Sequence, residues 1–229
     1  YFSFSNNSPS SINVAFAWGD SFSKDKVSAY SPVLEALSSK YNYGVCLGRM
    51  AWFMPLDGDG IKYGVAHAIG RWVFENLKEN VSQLKPAETS PDFTSEALEM
   101  LSSLMLAQAQ YLFYKMATEK KQSPEILSKI GYKFLNTSKK LMKELDQQAV
   151  KKFDNGRFAG VLDYHDKYFE GSAWLVLGIH RFSKAKEEGR DMGIAAGTAQ
   201  HANELFANMA SILPSIPTDY HANFNAKLK

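Results

Sequence analysis

A chain of 229 residues is long enough to bury a substantial core, in one large domain or two small ones. Its composition, with 45% hydrophobic and 22% charged residues, excludes a disordered chain and fits an ordinary globular protein. A net charge of +2 gives no reason to expect nucleic acid as a partner, and the single cysteine, Cys46, excludes an internal disulfide framework.

The first residues carry no targeting segment. Residues 1–9 lack the basic start and the apolar stretch of a signal peptide, and they do not begin with methionine. The longest apolar run, residues 173–179, is far too short to cross a bilayer. We therefore expect a cytoplasmic protein, and a sequence that is part of a longer chain.

The next hundred residues predict one strand and then helices. Residues 12–18 alternate apolar and polar side chains, which predicts a short strand or extended arm, the only one in the sequence. A first helix with a broad apolar face is predicted over residues 28–54. Proline and glycines at residues 55–60 interrupt it, and a second helix is predicted over residues 61–84.

Four more helices are predicted in the rest of the chain. Ser123 and Pro124 supply a helix cap and a proline at the first helical position, where its missing N–H does no harm. The short connections predict antiparallel neighbours, and no break is long enough to be a domain linker. The expected fold is therefore all-α, in a single domain over residues 1–229. The four helices are predicted over residues 95–121, 124–153, 158–186 and 189–213.

The last two predicted helices resemble a tetratricopeptide-like helical hairpin. Trp174, Leu177 and Gly178 match part of that motif, although Arg181 stands where the motif has an aromatic residue. Small residues on the second helix would admit large ones from the first. This pattern predicts stacked helical hairpins and not a regular repeat array. The small residues are Ala195, Ala196, Ala199 and Ala202.

No catalytic or metal-binding motif is visible. Counting from Asp57, loop positions five and twelve hold Ile61 and Ala68, where a calcium-binding loop requires oxygen ligands. The five histidines include no pair at helical spacing with a carboxylate nearby, so each is interpreted as a surface or hydrogen-bonded core residue. Cys46, on the apolar first helix, is interpreted as a buried packing residue. We expect no metal, no cofactor and no enzymatic activity.

Several segments resemble one known family. Leu-Met-Leu-Ala-Gln-Ala-Gln at residues 104–110 is similar to the most recognisable stretch of the BRO domains of ALIX-type endosomal adaptors. Residues 15–22, Ala-Phe-Ala-Trp-Gly-Asp-Ser-Phe, resemble that family's strand with its Trp-x-Asp-x-Phe pattern. The resemblance spans nearly the whole chain. Further similar segments lie at residues 39–47, 59–62, 74–78, 173–174 and 193–196.

The resemblance implies an elongated, boomerang-like helical scaffold. In the family it is a non-enzymatic adaptor, recruited from the cytoplasm to endosomes, that binds the C-terminal amphipathic helix of ESCRT-III subunits during multivesicular-body sorting. Three apolar positions on the concave face bind that helix in ALIX-like members. Carried over in register, they fall on Phe113, Ile126 and Ile130. The family's domain extends beyond both ends of this sequence, so a partial domain is expected.

The residues themselves leave two readings of the isoleucines open. Ile126 and Ile130 are four residues apart on the fourth predicted helix, so they form one short ridge. The ridge is displaced by about 100° from Leu127, which begins the main core stripe. The isoleucines either form the edge of the core or bind a partner helix. The core stripe comprises Leu127, Phe134, Leu141 and Leu145, together with Gly131 and Ser138.

Lysines concentrate in the middle of the chain. A solvated helix face explains them, and attraction to an acidic partner helix or to anionic endosomal lipid are the alternatives. A second binding hypothesis is a generic tetratricopeptide-like scaffold that grips an extended peptide with polar and basic residues on its concave face. A helical hydrolase or metal-dependent enzyme is the hypothesis from a different class. The lysines lie at 115, 120, 121, 129, 133, 139, 140, 143, 151 and 152.

Overall fold

A computed structural model describes residues 14–21, 26–53, 60–145 and 157–212. These residues form a two-stranded hairpin and six long helices, so the predicted all-helical class is confirmed. Three short 3-10 turns, Val81–Gln83, Pro86–Glu88 and Pro91–Phe93, connect the second helix to the third. The elements are β1 (Phe16–Gly19), β2 (Lys26–Ala29), α1 (Pro32–Phe53), α2 (Gly60–Asn80), α3 (Ser95–Glu119), α4 (Pro124–Leu145), α5 (Arg157–Glu188) and α6 (Met192–Ile212).

The β-hairpin corrects the sequence-based prediction of a single strand. β1 pairs antiparallel with β2, with Phe16 opposite Ala29. The first helix was expected to begin at residue 28, but β2 occupies that position and α1 begins at Pro32. Lys-Val-Ser-Ala is too short to show a period, and only the pairing with β1 identifies it as a strand. Residues 12 and 13 of the predicted strand lie outside the described residues.

A buried carboxylate attaches this hairpin to the helices. Oδ2 of Asp92 accepts hydrogen bonds from Nε1 of Trp18, at 3.0 Å, and from the backbone N–H of Ser21, at 2.8 Å. Oδ1 accepts a bond from the Tyr41 hydroxyl at 2.8 Å. Burial raises the pKa of Asp92, while the bonds from Ser21 and Tyr41 favour its charged form. Asp92 therefore joins β1, α1 and the connection before α3.

The helices stack in chain order, each one packing along the next. Contacts between α3 and α4 show the antiparallel arrangement, since Thr137 lies beside Gln110 whereas Gly131 lies beside Tyr114. The main core runs from α1 to α5 and includes the fully buried Phe74. On α4 the predicted core stripe is confirmed in its middle. Phe134, Leu141 and Gly131 are buried, Leu127 is half-buried, and the side chains of Ser138 and Leu145 lie outside the described part.

The predicted hairpin of the last two helices is confirmed by close contact between α5 and α6. A Cβ atom added at Gly178 would lie 3.3 Å from the backbone nitrogen of Ala199. Arg181, in the position where an aromatic residue was noted as missing, donates a hydrogen bond from Nη1 to Oγ1 of Thr198 at 2.7 Å. Ala195 and Ala202 are buried, as the small-residue pattern predicts, whereas Ala196 and Ala199 are exposed.

Two single-residue interpretations are corrected. Cys46 is exposed on α1, so its interpretation as a buried packing residue is wrong. His67 is fully buried in α2, but only its Nδ1 has a contact, 3.5 Å from the sulfur of Met105. The loop that begins at Asp57 lies outside the described residues. Among the helices that are described, none has an apolar stretch long enough to cross a bilayer.

Candidate functional site

No group of three histidine, cysteine, aspartate or glutamate side chains among the described residues is placed to hold a metal ion. Burial lowers the pKa of His67 to about 4, and its Nε2 finds no hydrogen-bond partner within the described structure. A neutral imidazole closed off from solvent in this way belongs to the core. The features that remain are surfaces.

One surface feature is a depression on α3 between α2 and α4. Leu106 and Ser102 lie seven and eleven residues before Phe113 on α3. At about 100° per residue they fall within roughly 20° of one line along the helix. A depression on this line has walls from α2 and α4, so α3 forms the floor. It is lined by Arg71, Glu75, Lys78, Leu98, Glu99, Ser102, Ser103, Leu106 and Lys140.

Phe113 lies on the same line of α3, about 10 Å beyond Leu106, and is 45% exposed. Its ring packs against Gly64 of α2, where an added Cβ atom would lie 3.2 Å from Cε2 of the ring. A large aromatic side chain so exposed and yet held by a neighbouring helix presents a defined apolar surface. Sequence reasoning selected Phe113 only through the family resemblance, because α3 is apolar on nearly every side.

The two isoleucines stand on the wall that α4 forms. Ile126 is 43% exposed and Ile130 is half-buried. Ile126 and Ile130 lie eleven and seven residues before Thr137 on α4. At about 100° per residue, both positions fall within roughly 40° of Thr137 around the helix axis. The Thr137 hydroxyl lies 3.2 Å from Oε1 of Gln110 on α3, which shows that this side of α4 faces α3. Ile126 and Ile130 therefore lie on the side of α4 that faces α3.

The three predicted site residues consequently share one side of the α3–α4 pair. Because Thr137 lies beside Gln110 and the helices are antiparallel, Ile130 is level with residue 117 of α3. Phe113 is then about 6 Å from that level along the helix axis. Phe113 leans toward α2, while the isoleucines belong to α4. We call Phe113, Ile126 and Ile130 the apolar patch.

Charged residues line the depression between α2, α3 and α4. On α2, Nε of Arg71 donates to Oε1 of Glu75 at 2.8 Å. Lys78 of α2 pairs with Glu99 of α3 at 2.5 Å, and this hydrogen bond lowers the pKa of Glu99. Lys140 approaches from α4. Sequence reasoning noted Lys140 within a lysine-rich stretch but missed the other four, because only packing brings α2 beside α3.

Two other helices also expose apolar stripes at helical spacing. One on α2 comprises Val65, Ile69 and Trp72. The other, on α5, comprises Leu175, Ile179 and Phe182, of which Ile179 is 50% exposed. Exposure alone therefore does not single out the apolar patch. The apolar patch differs from these stripes because its residues lie on two neighbouring helices, and a partner helix can pack against such a pair.

Comparison with known proteins identifies a family. The chain matches the family described as BRO1-like domain over residues 2–229. ALG-2 interacting protein X of Dictyostelium discoideum is 34% identical over 126 residues, which is 54% of this chain and 16% of that protein. Programmed cell death 6-interacting protein of Homo sapiens is 30% identical over 139 residues, 57% of this chain and 16% of that protein. The matched segment is thus a small part of these relatives.

Solved structures show the same fold. A structure described as an ALIX BRO1 CHMP4C complex superposes with a TM-score of 0.76 at 23% identity, covering 96% of this chain and 63% of that one. Another, of ALIX in complex with the SIVmac239 PYKEVTEDL late domain, has a TM-score of 0.74 at 23% identity. It covers 94% of this chain and 31% of that one. At this level of identity the agreement establishes the fold.

Proposed function

This chain belongs to the BRO1-like domain family, and from that premise we propose that it is a non-enzymatic adaptor which binds the C-terminal amphipathic helix of an ESCRT-III subunit. The observation that carries the proposal is that Phe113 and Ile126, on the neighbouring helices α3 and α4, are substantially exposed apolar side chains, with Ile130 half-buried beside Ile126. The similar fold of the ALIX BRO1 domain in its complex with CHMP4C supports it.

The physical basis is helix-in-groove recognition. An amphipathic helix presents apolar residues at spacings of three and four, and a groove between helices can bury that face. A few central apolar contacts usually provide most of the binding free energy at such an interface. The apolar patch supplies three of them, and the polar residues around it would remain in contact with water.

The proposal places the protein in the cytoplasm, with recruitment to endosomes through its partner. Exposed lysines on α4, among them Lys129, Lys133 and Lys143, support attraction to an acidic partner or to the anionic surface of an endosomal membrane. Lys129 already pairs with Glu125 at 2.7 Å, which reduces its share of that attraction. The single domain over residues 1–229 stays a prediction.

The test is to place a charge in the apolar patch. Ile126→Asp and Ile130→Asp should each weaken binding of the CHMP4C C-terminal peptide by roughly thirtyfold or more, since interface hot spots lose about 2–4 kcal/mol on truncation alone. The melting temperature should change little, because the buried Phe134 and Leu141 are untouched. Ile179→Asp is the matched control, an exposed isoleucine on α5, and should bind normally.

Three outcomes would contradict the proposal or change it. If both patch variants unfold, the isoleucines belong to the core. If both remain folded and bind normally, the patch is not the binding site. Binding that survives both substitutions but is lost in high salt would favour the tetratricopeptide-like alternative, a basic clamp on an extended peptide. The basic residues that line the depression, Arg71, Lys78 and Lys140, are the reason to test this alternative.

A further inference from the structure

The sequence holds four Ser-Pro dipeptides, and burial separates the three that lie in the described part of the chain. Ser31 is 6% exposed and Ser90 is 5% exposed, so the fold covers both serines. Ser123, by contrast, is exposed in the connection between α3 and α4. The fourth dipeptide begins at Ser8, outside the described residues. Of the three described serines, an enzyme that acts on Ser-Pro can therefore reach Ser123 without opening the fold.

The start of α4 has the local structure that a proline-directed kinase requires. Such kinases bind the target serine in an extended segment and select proline as the next residue. Proline disfavours the helical conformation in the residue before it, and Ser123 indeed precedes the first turn of α4. Pro124 has no N–H, and the Ser123 carbonyl accepts one backbone hydrogen bond, from Leu127 at 3.0 Å. Little structure opposes the entry of this segment into a kinase cleft.

The Ser123 hydroxyl lies directly beside the apolar patch. Its Oγ accepts a long hydrogen bond, 3.4 Å, from the backbone N–H of Ile126, whose side chain is 43% exposed. A phosphate on this oxygen carries about −1.5 to −2 charges at pH 7 and stands within one helical turn of that side chain. Its oxygens can still accept the Ile126 N–H at the helix start, so the fold tolerates the added group.

Two lysines next to Ser123 would respond to such a charge. Lys120 and Lys121 follow the last residue of α3 and are exposed, and neither forms an ion pair within the described part of the chain. Lys129, on α4, is instead paired with Glu125 at 2.7 Å. A phosphate at Ser123 would neutralise positive charge at this corner, and with it part of the attraction to an acidic partner helix.

We propose that phosphorylation of Ser123 by a proline-directed kinase switches off binding at the apolar patch. In this reaction Oγ of Ser123 forms a bond to the γ-phosphorus of ATP, the bond from that phosphorus to the β,γ-bridging oxygen breaks, ADP leaves and the hydroxyl proton is released. A partner helix that covers Ile126 would then have to strip water from a phosphate, which is far more costly than covering an apolar side chain. The effect on binding rests on the proposed function, whereas the modification itself does not.

The first experiment identifies the modified serine. The full chain is incubated with a mitogen-activated protein kinase and ATP, and phosphorylated residues are mapped by mass spectrometry. Phosphate is expected on Ser123 and not on Ser31 or Ser90, which precede proline but are buried. Pro124→Ala should remove most of it, because the kinase selects proline at that position. Absence of phosphate from Ser123, or equal modification of Ser31 and Ser90, overturns the inference.

The second experiment measures binding of the CHMP4C C-terminal peptide to Ser123→phosphoserine, prepared by genetic encoding. Affinity should fall by about tenfold or more, with the melting temperature not lowered. Ser211→phosphoserine is the matched control, since Ser211 is exposed on α6 and receives the same charge outside the patch. It should bind normally, as should Ser123→Ala, which removes the hydroxyl without adding a charge.

Three results of the binding experiment overturn the switch. Wild-type affinity in Ser123→phosphoserine shows that the phosphate does not reach the partner. Equal loss in Ser211→phosphoserine shows a general effect of charge. A melting temperature that falls together with affinity shows that the phosphate acts through the fold. Failure of the proposed function is distinguishable, because Ile126→Asp and Ile130→Asp would then bind normally without any phosphate.

Discussion

The ring of Phe113 on α3 rests on the backbone of Gly64 on α2. A Cβ atom at Gly64 would lie 3.2 Å from Cε2 and 3.3 Å from Cζ of the ring, closer than ordinary van der Waals contact. Any larger residue at this position would have to displace the ring. Gly64 therefore determines how closely Phe113 approaches α2, and with it the shape of the apolar patch.

Gly64→Ala is expected to weaken binding of the CHMP4C peptide while leaving the fold intact. The added methyl group pushes the Phe113 ring toward solvent, so we expect a loss of affinity of about three- to tenfold. Alanine in a helix interior is favoured over glycine by about 1 kcal/mol, which offsets the strain. Melting temperature and peptide affinity are the two measurements.

Gly197→Ala on α6 is the control for that substitution. A Cβ atom there meets nothing within 4 Å. It should raise stability by roughly 0.5–1 kcal/mol and leave peptide affinity unchanged. Wild-type affinity in Gly64→Ala would show that the position of the Phe113 ring does not matter for binding.

Asp92→Ala is expected to release the β-hairpin from the helices. It leaves three donors without their acceptor, the buried Trp18 and Tyr41 side chains and the backbone of Ser21. Each unsatisfied buried donor costs about 1–3 kcal/mol, so the free energy of unfolding should fall by roughly 3 kcal/mol or more. Asp92→Asn keeps both side-chain positions filled and should cost less.

Amide hydrogen exchange distinguishes this local role from a general loss of stability. In Asp92→Ala, protection should fall first in residues 16–19 and 26–29, the two paired strands. Protection that falls equally in α5 and α6 would contradict the assignment of Asp92 as the anchor of the hairpin.

His67 should make the protein less stable in acid. Burial lowers the pKa of His67 from its usual 6.5 to about 4, so the unfolded chain binds this proton more readily than the folded one. Its contribution to stability is therefore complete above pH 6.5 and is lost progressively as the pH falls toward 4. At pH 5 the free energy of unfolding should be roughly 2 kcal/mol lower than at pH 7 because of this group.

Chemical denaturation at pH 7 and pH 5 tests that prediction. His67→Leu removes the titrating group and should show a correspondingly smaller loss between the two pH values. A loss as large as that of the wild type would mean that other groups cause the acid sensitivity. An imidazole titration near pH 6.5, followed by nuclear magnetic resonance, would show that His67 is not buried in solution.

The helices and the family were readable from the sequence because both are local signals. Thr94 caps α3 by accepting a hydrogen bond from the backbone N–H of Ala97, and threonine is a favoured residue at the start of a helix. The Leu-Met-Leu-Ala-Gln-Ala-Gln stretch at residues 104–110 pointed to the family that residues 2–229 match. Helical spacing also separated Ile126 and Ile130 from the core stripe on α4.

Strand pairing and the burial of a residue depend on which other element packs against it. Only the tertiary structure therefore decided these properties. β2 became a strand only by pairing with β1, and Cys46 proved exposed although its helix is apolar. His67 proved buried because α3 packs over it through Met105.

The packing of α2, α3 and α4 shows most clearly what the sequence could not predict. Periodicity shows which residues share a face of one helix, but it does not show which helix lies opposite. Gly64 and Phe113 are 49 positions apart in the sequence, yet they are in contact, and Lys78 and Lys140 are 62 apart, yet they line one depression. The sequence by itself determined the helices and the candidate apolar residues. The packing of α2, α3 and α4 decided which apolar and which charged side chains become neighbours on the surface, because that depends on contacts between distant parts of the chain.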